Sequence, residues 1–215
     1  QEQDKYNIFL CGGDTVYSNK LSFSITSIGF SEKIIKRNNA KLNDDIYVTG
    51  NLGDSFVGLK VLKKQIKLNN KLKNYFVKKY YEPDLQFKLI NWLTSFANTS
   101  IDISDGLIAD LEKLINNQRL SYKLNFEKIP VSKHLKNLIV KKKLNKSSFI
   151  SNGDDYQILF TAKPDMSRII NNIAKSLSIK ISKIGKICSN HQKSQIIDEN
   201  GNKIAVKTKG YFHKF

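Results

Sequence analysis

Cysteine and histidine are scarce in this chain, and each shortage excludes a class of protein. Its 215 residues include two cysteines, Cys11 and Cys188, which lie far apart and have no second cysteine nearby. Such a pair does not predict a disulfide scaffold and is typical of a protein from a reducing cytoplasm. The three histidines show no metal-ligand spacing, so a zinc site is not expected.

Long apolar runs are also missing. No stretch approaches the roughly 18 apolar residues of a transmembrane helix, so no membrane association is expected. The first five residues are polar and mixed in charge, unlike a signal or transit peptide, which favours a cytoplasmic location. Position 1 is not Met, so we expect the chain to begin inside a longer protein. The hydrophobic content of 40% predicts a folded chain.

Arginine is rare although the chain is strongly basic. The net charge is +17, yet only three of the 36 basic residues are arginines. Because nucleic-acid readers favour the bidentate fork of arginine, we interpret the lysines as a solvated surface and expect no nucleic-acid partner. Nucleic-acid binding stays a minor alternative, and its signature would be a steep salt dependence. A local basic rim that attracts anionic substrates is compatible with this composition.

The hydrophobic pattern predicts an α+β fold, in which a mixed sheet carries helices mainly on one face. An apolar run at 6–11 and an alternating run at 21–28 each predict a strand. Further strands and amphipathic helices follow along the chain, and Asp54 is expected to cap the helix that begins there. No linker or repeat divides the sequence, which we therefore interpret as one domain.

The sharpest motif is the run Asp102-Ile103-Ser104-Asp105-Gly106, at the end of a predicted strand. Residues two apart on a strand share a face, so Asp102 and Ser104 should point the same way. Mg²⁺ prefers carboxylate oxygens together with substrate phosphates, and a phosphate can rest on the N–H groups of a helix start. In the alternative interpretation Ser104 or Asp105 only caps the helix, which leaves Asp102 without a role.

Three further clusters carry similar chemistry. The run GGDT at 12–15 lets the backbone pass close to a ligand and places Asp14 where a hard cation can take its carboxylate. The run NGDD at 152–155 again sets a glycine before paired acids, and Arg37 offers a planar fork suited to polyphosphate. The alternatives are an Asx turn, a tight loop and a surface residue, respectively.

The motifs together predict a Mg²⁺- and ATP-dependent phosphotransferase that acts on a small molecule. There is no Walker A loop, protein-kinase glycine loop or nucleophile elbow, and no Ser–His–Asp or Cys–His pairing. Direct in-line phosphoryl transfer needs positioning and charge neutralisation rather than covalent chemistry, and metal-bound aspartates supply both.

Five groups of residues, in the same order, resemble thiamine-monophosphate kinases. They are GGDT at 12–15 with LSFSIT at 21–26, DIYVTGNLGDS at 45–55, IDISDGL at 101–107, DDYQILFT at 154–161 and GYFHKF at 210–215. This family belongs to the ATP-binding superfamily of aminoimidazole-ribonucleotide synthetase and selenophosphate synthetase. The resemblance implies that ATP and thiamine monophosphate give ADP and thiamine diphosphate, in a homodimer that uses several Mg²⁺ ions.

The resemblance also implies roles for individual residues. Asp14 and Asp102 would be Mg²⁺ ligands, and Asp105 would bind a further ion. The ATP contacts would be made by Gly13, Asp14, Arg37 and Ser104. No residue is implied to act as a covalent or acid–base catalyst.

Two residues are implied at the thiamine end of the substrate. Asp154 would contact it, and the ring of Tyr211 would stack on the cationic thiazolium. The family usually has Glu at the position of Asp154, so the shorter acid is expected to shift this contact. Phe212 replaces an expected Asp, which loosens the assignment of Tyr211.

The family has a further N-terminal region ahead of the GGDT run. We therefore expect residues 1–215 to be the C-terminal part of the kinase, one α+β domain with a short piece, about 1–30, of the nucleotide-binding domain. Little kinase activity is expected from this chain alone. The alternatives are a related synthetase or hydrogenase-maturation factor with another acceptor, and a non-catalytic fragment that binds a ligand or partner.

Overall fold

The computed structural model describes residues 1–206 and 208–211, and the chain divides into two units, Gln1–Ile34 and Ile35–Phe215. The first unit holds one short helix, α1 (Glu2–Tyr6), and residues 7–34 contain no strand. The strands predicted at 6–11 and 21–28 are therefore wrong. Leu21, Phe23 and Ile25 are more than four-fifths exposed. The alternating pattern is present, but a strand also needs neighbouring backbone to pair with.

The second unit is built on a mixed sheet of six strands. The strands are β1 (Asp45–Thr49), β2 (Ala97–Asp102), β3 (Leu120–Asn125), β4 (Ile158–Ala162), β5 (Ile181–Ser189) and β6 (Gln195–Ile197). Their order is β2-β4-β1-β5-β3-β6, and all neighbours are antiparallel except β3 and β6. The α+β fold with a mixed sheet is thus confirmed.

Seven α-helices join these strands in the part of the second unit that is described. They are α2 (Asp54–Leu62), α3 (Asn70–Tyr81), α4 (Phe87–Leu93), α5 (Leu107–Ile115), α6 (Lys133–Lys142), α7 (Ser147–Ile150) and α8 (Ser167–Ser176). The side chains of Asn69 and Ser132 cap α3 and α6, each accepting a backbone N–H at 3.0 Å. Among the described residues, no helix is long and apolar enough to cross a membrane.

Alternation along the central strands divides the core between the two faces of the sheet. On β1, Ile46 and Val48 pack with the apolar side of α5. Tyr47 points the other way and stacks on Phe160, with ring centroids 5.2 Å apart, among side chains of α4 and α8. A third cluster joins α2, α3, α6 and α7. Helices therefore cover both faces, because the central strands β1 and β4 bury side chains on both. The expectation that the helices lie mainly on one face is wrong.

The antiparallel pairings bring several loops to one end of the sheet, here called the site edge. Asp102 at the end of β2 pairs with Ile158 at the start of β4. Thr49 at the end of β1 pairs with Ile181 at the start of β5. The site edge consists of residues 50–53, 102–106, 126–131, 152–157 and 180, and it carries most of the motifs singled out from the sequence.

Candidate functional site

The loop that follows β2 is organised by Asp110, a residue of the first turn of α5 whose side chain is buried. Its Oδ2 accepts the backbone N–H groups of Ser104, Asp105 and Gly106 at 3.0, 2.8 and 3.0 Å. The helix begins after Gly106 without a side-chain cap, so neither Ser104 nor Asp105 caps it. The three N–H groups of the loop that leads into the helix therefore bind this internal carboxylate.

Lys113 connects this loop to the helix one turn further on. Its Nζ lies 2.9 Å from Asp110 Oδ1 and is also paired with Asp105 Oδ2. Burial acts to lower the pKa of Lys113, but hydrogen bonds to the two carboxylates outweigh it, so its pKa is raised. The ammonium group of Lys113 therefore already pairs with Asp105, the carboxylate predicted to bind a further ion.

The loop before β4 packs directly on the Asp102–Gly106 loop. The backbone N–H groups of Asp154 and Tyr156 donate to the carbonyl oxygens of Ser104 and Ile103 at 3.0 and 2.9 Å. Asp154 and Tyr156 both have left-handed backbone, with φ of 65° and 49°. Residues other than glycine rarely adopt this backbone conformation, and such strain is concentrated at functional sites. The two loops form one continuous structure at the site edge.

Gly153 allows this close approach, because a Cβ there would lie 1.7 Å from the carbonyl oxygen of Ser104. We expect Gly153→Ala to push the two loops apart and to lower the free energy of unfolding by about 3 kcal/mol, as overpacking of a rigid site does. Urea unfolding followed by the fluorescence of the single tryptophan measures this. Gly29→Ala is the matched control, because no atom lies within 4 Å of its Cβ position. Equal stability of the two variants would contradict this packing.

The end of the described chain completes the cluster. The backbone N–H of Tyr211 donates to the carbonyl oxygen of Asp105 at 2.9 Å, and that of Ala109 donates to the carbonyl oxygen of Lys209 at 2.9 Å. The side chain of Tyr211 is 58% exposed, so its ring is accessible to a ligand. Phe212, whose departure from the family pattern was noted above, lies outside the described residues.

Buried carboxylates fix the neighbouring loop between β1 and α2. Asp155 accepts the N–H of Gly53 at 2.8 Å, and burial raises its pKa well above the usual range. The expected capping role of Asp54 is wrong, because Gly53 is the N-cap and Asp54 is the first helical residue. Asp54 instead accepts hydrogen bonds from the hydroxyls of Tyr75 and Ser132, at 2.9 and 2.7 Å. The bond between Asp155 and Gly53 ties the strained loop at 153–156 to the start of α2. The bonds of Asp54 in turn tie α2 to α3 and to the start of α6.

The acidic side chains of the predicted site raise the pKa values of neighbouring groups. Burial, and then the charge of Asp105, raises the pKa of Asp154. Burial raises the pKa of Tyr156 as well, followed by the charges of Asp154 and Asp102. Asp102, Asp105 and Asp154 thus share one neighbourhood around the half-exposed Tyr156. Clustered carboxylates repel one another unless a cation joins them.

Sequence reasoning missed three residues of this cluster, namely Asp110, Lys113 and Tyr156. An acid in the first turn of the helix after the motif was a usable signal for Asp110, since acids there bind N–H groups at a helix start. Tyr156 directly follows the paired acids that were singled out. Lys113 had no signal, because it is one lysine among many.

Arg37 lies away from the cluster, at the other end of the elements that carry it. The carbonyl of Lys36 accepts from Thr99 Oγ1 at 2.6 Å, near the start of β2. The N–H of Asn38 donates to the carbonyl of Leu114 at 2.8 Å, near the end of α5. Arg37 is exposed, and its backbone therefore lies near the end of β2 that is opposite to Asp102.

Gly13 and Asp14 belong to the first unit and are exposed there. Asp14 Oδ1 accepts the N–H of Thr15 at 2.8 Å, a contact within the motif itself. The structure describes these two residues only within that unit, so their predicted roles toward Mg²⁺ and ATP stay predictions.

The donor set at the site edge fits a hard cation. Mg²⁺ is usually held by one or two carboxylates together with water and substrate phosphates. Asp102 offers an exposed carboxylate, and Asp105 one that now binds the ammonium of Lys113. Within the described ranges, no group of three or more His, Cys, Asp or Glu side chains gathers as a ready metal cage.

Comparison with known proteins relates the chain to one group of enzymes, although no family model matches it. Thiamine-monophosphate kinase of Buchnera aphidicola subsp. Acyrthosiphon pisum (strain APS) is 37% identical over 214 residues, which cover 98% of this chain and 65% of that protein. The crystal structure of thiamine-monophosphate kinase from Stenotrophomonas maltophilia K279a aligns with a TM-score of 0.68 at 25% identity, over 79% of this chain and 54% of that one. The structure of AaThiL complexed with AMPPCP and TMP aligns with a TM-score of 0.69 at 26% identity, over 85% and 55%.

Proposed function

We propose that the chain, which spans 65% of the length of the Buchnera thiamine-monophosphate kinase, contributes to the ATP-dependent phosphorylation of thiamine monophosphate to thiamine diphosphate. The proposed transfer is direct and in line, with Mg²⁺ neutralising the phosphates. A relative of the same fold has been solved with AMPPCP and TMP, which supports both ligands. A cytoplasmic homodimer is part of the same proposal.

One observation carries this proposal: the loops 102–106 and 152–156 and the segment 209–211 meet at the site edge. Their backbones are joined by hydrogen bonds of 2.9–3.0 Å, so the side chains on them are held in fixed relation. Asp102 and Asp105 would hold Mg²⁺, which would supply charge neutralisation for the transferring phosphoryl group. Ser104 lies between them and offers a hydroxyl to the nucleotide.

The substrate end follows from the same arrangement. Tyr156 and Tyr211 have exposed rings, and their backbone N–H groups bond to the loop of Asp102 and Asp105. Asp154 offers a carboxylate two residues before Tyr156. Aromatic faces and a carboxylate suit a planar cation, which the thiazolium of thiamine monophosphate is. In this proposal the aromatic residues orient the acceptor phosphate toward the metal-bound nucleotide.

Arg37, Gly13 and Asp14 have further roles in the proposal. Arg37 would contact ATP away from the transferring phosphate, since its backbone is anchored at the far end of β2. Gly13 and Asp14 would add a backbone contact and a carboxylate to the nucleotide and its metal, as the resemblance implies.

Ligand binding is the most direct test, since it does not depend on turnover. Isothermal titration of the purified protein with AMPPCP should show binding that strengthens when Mg²⁺ is added, and thiamine monophosphate should bind the nucleotide complex. ADP release and thiamine diphosphate formation are then measured with ATP. No AMPPCP binding at millimolar concentration would exclude the kinase proposal. Binding of AMPPCP without thiamine monophosphate would instead favour an enzyme with another acceptor.

A further inference from the structure

One cavity on the site edge is rich in lysine. It has a volume of about 540 Å³ and lies between the loop at 126–131, helix α6 and the starts of α7 and β5. Lys128, Lys136, Lys146 and Lys180 line it, against one acid, Glu127. We call this cavity the lysine groove. Its formal excess of three positive charges distinguishes it from the acidic cluster at the other end of the same edge.

Two of the ammonium groups in the lysine groove, those of Lys146 and Lys180, donate to neutral partners. Lys146 Nζ donates to the carbonyl oxygen of Phe126 at 2.6 Å and lies 4.7 Å from the centre of the Phe126 ring. Lys180 Nζ donates to Asn51 Oδ1 at 2.6 Å. Among the described ion pairs, none involves Lys136, Lys146 or Lys180. Lys146 is partly buried, whereas Lys136 and Lys180 are exposed. A group of cations without a carboxylate partner attracts an anion.

The titration of Lys146 agrees with this geometry. Burial lowers its pKa to about 8, Glu127 opposes this shift, and Lys136 and Lys180 add to it. Burial also lowers the pKa of Lys180, against the charge of Asp54. Half of the Lys146 amines are therefore neutral near pH 8, and a bound anion would favour the charged form. Lys128 is the remaining charged group of the groove.

The walls of the groove are apolar. Ile129, Pro130 and Val131 form one side, and Ile139 and Val140 of α6 form another. Val140 is 71% exposed, so this surface is open to a ligand. Lysine is a compact point charge that suits a phosphate, and a hydrophobic body beside the phosphate would cover the exposed part of the apolar wall, at Val140.

We propose that the lysine groove is a binding site for a small phosphate monoester with an apolar or aromatic body, separate from the acidic cluster that would bind the metal and nucleotide. The dianionic phosphate would lie among Lys136, Lys146 and Lys180, and the body would lie on the aliphatic wall. The charge excess of three favours a dianion over a carboxylate.

Phenyl phosphate is the probe for this site, because it joins a phosphate to an aromatic ring. Isothermal titration at pH 8 and low salt, without Mg²⁺, compares it with inorganic phosphate, benzoate and phenol. We expect phenyl phosphate to bind at least tenfold more tightly than each of these. Lys146→Met and Lys136→Met should each weaken its binding at least tenfold. Lys73→Met, on an exposed position of α3, should leave binding unchanged.

Proton uptake gives an independent readout that a general lysine surface would not produce. Because burial lowers the pKa of Lys146 to about 8, binding of phenyl phosphate at pH 8 should be accompanied by proton uptake by the protein. Comparing binding enthalpies in two buffers of different ionisation enthalpy measures this. The uptake should vanish in Lys146→Met and persist in Lys136→Met, which also covers the case in which one variant fails to fold.

Three results would overturn the lysine groove as a site. They are no binding of phenyl phosphate at millimolar concentration, equal weakening by Lys73→Met and Lys146→Met, and equal affinity for inorganic phosphate or benzoate. The Asp102→Asn protein should still bind phenyl phosphate, so failure of the groove and failure of the kinase proposal can be told apart.

Discussion

Asp102→Asn should lower the rate of Mg²⁺-dependent phosphoryl transfer by at least about 100-fold, since a metal supplies several kcal/mol of transition-state charge stabilisation. The amide is neutral and a weaker ligand for a hard cation. Asp102 is exposed at the end of β2, so the variant should fold normally. The affinity for AMPPCP, titrated at increasing Mg²⁺, is the binding readout, and ADP release is the kinetic one.

The magnesium dependence makes this prediction specific. Without Mg²⁺ the variant should bind AMPPCP as tightly as the unmodified protein or more tightly, because one carboxylate no longer repels the phosphates. Asp165→Asn is the matched control, since Asp165 is exposed beyond the opposite end of β4. Equal AMPPCP affinity of Asp102→Asn and Asp165→Asn at every Mg²⁺ concentration would remove Asp102 from the site.

The second large effect is expected from Asp110→Ala, which we predict to lower the free energy of unfolding by about 3–5 kcal/mol. The substitution leaves three backbone N–H groups without their acceptor and removes one of the two partners of Lys113. Because the loop that carries Asp102 and Asp105 is held by these bonds, Mg²⁺-dependent AMPPCP binding should also weaken. Urea unfolding and nucleotide titration measure the two effects.

Asp165→Ala is the comparison for stability, since it removes an exposed acid of the same type. Asp110→Asn is the comparison for binding, because its amide oxygen can still accept from part of the loop. We expect its AMPPCP affinity to lie between those of the unmodified protein and Asp110→Ala. If Asp110→Ala is as stable as Asp165→Ala, the hydrogen bonds of Asp110 do not hold the loop.

The limits of prediction are clearest in the first unit. The run at 21–28 has the alternation of a half-buried strand, yet its apolar side chains are exposed and no strand forms. Alternation describes which face of a strand would be apolar. The strand itself forms only when the backbone of another segment hydrogen-bonds to it. On β1 the short run at 46–49 does form a strand, because β4 and β5 supply partners on both sides.

The site shows the same division between local and long-range information. The spacing of Asp102 and Asp105 was enough to identify their loop, and the glycine before Asp154 marked the loop that packs on it. The contact between Gly153 and Ser104 joins residues 49 positions apart, which no local pattern encodes. The remote position of Arg37 likewise depends on hydrogen bonds to Thr99 and Leu114.

By itself the sequence indicated the strands of the second unit, the acidic loop after β2 and the resemblance to a kinase family, because these depend on periodicity and short spacings. Only the tertiary structure decided that Asp110 occupies the N–H groups of that loop and that Lys113 pairs with Asp105. It also decided which lysines of a uniformly basic chain converge on one cavity. Charge and hydrogen bonding act through space, so the partners of a residue are settled only when distant strands pair.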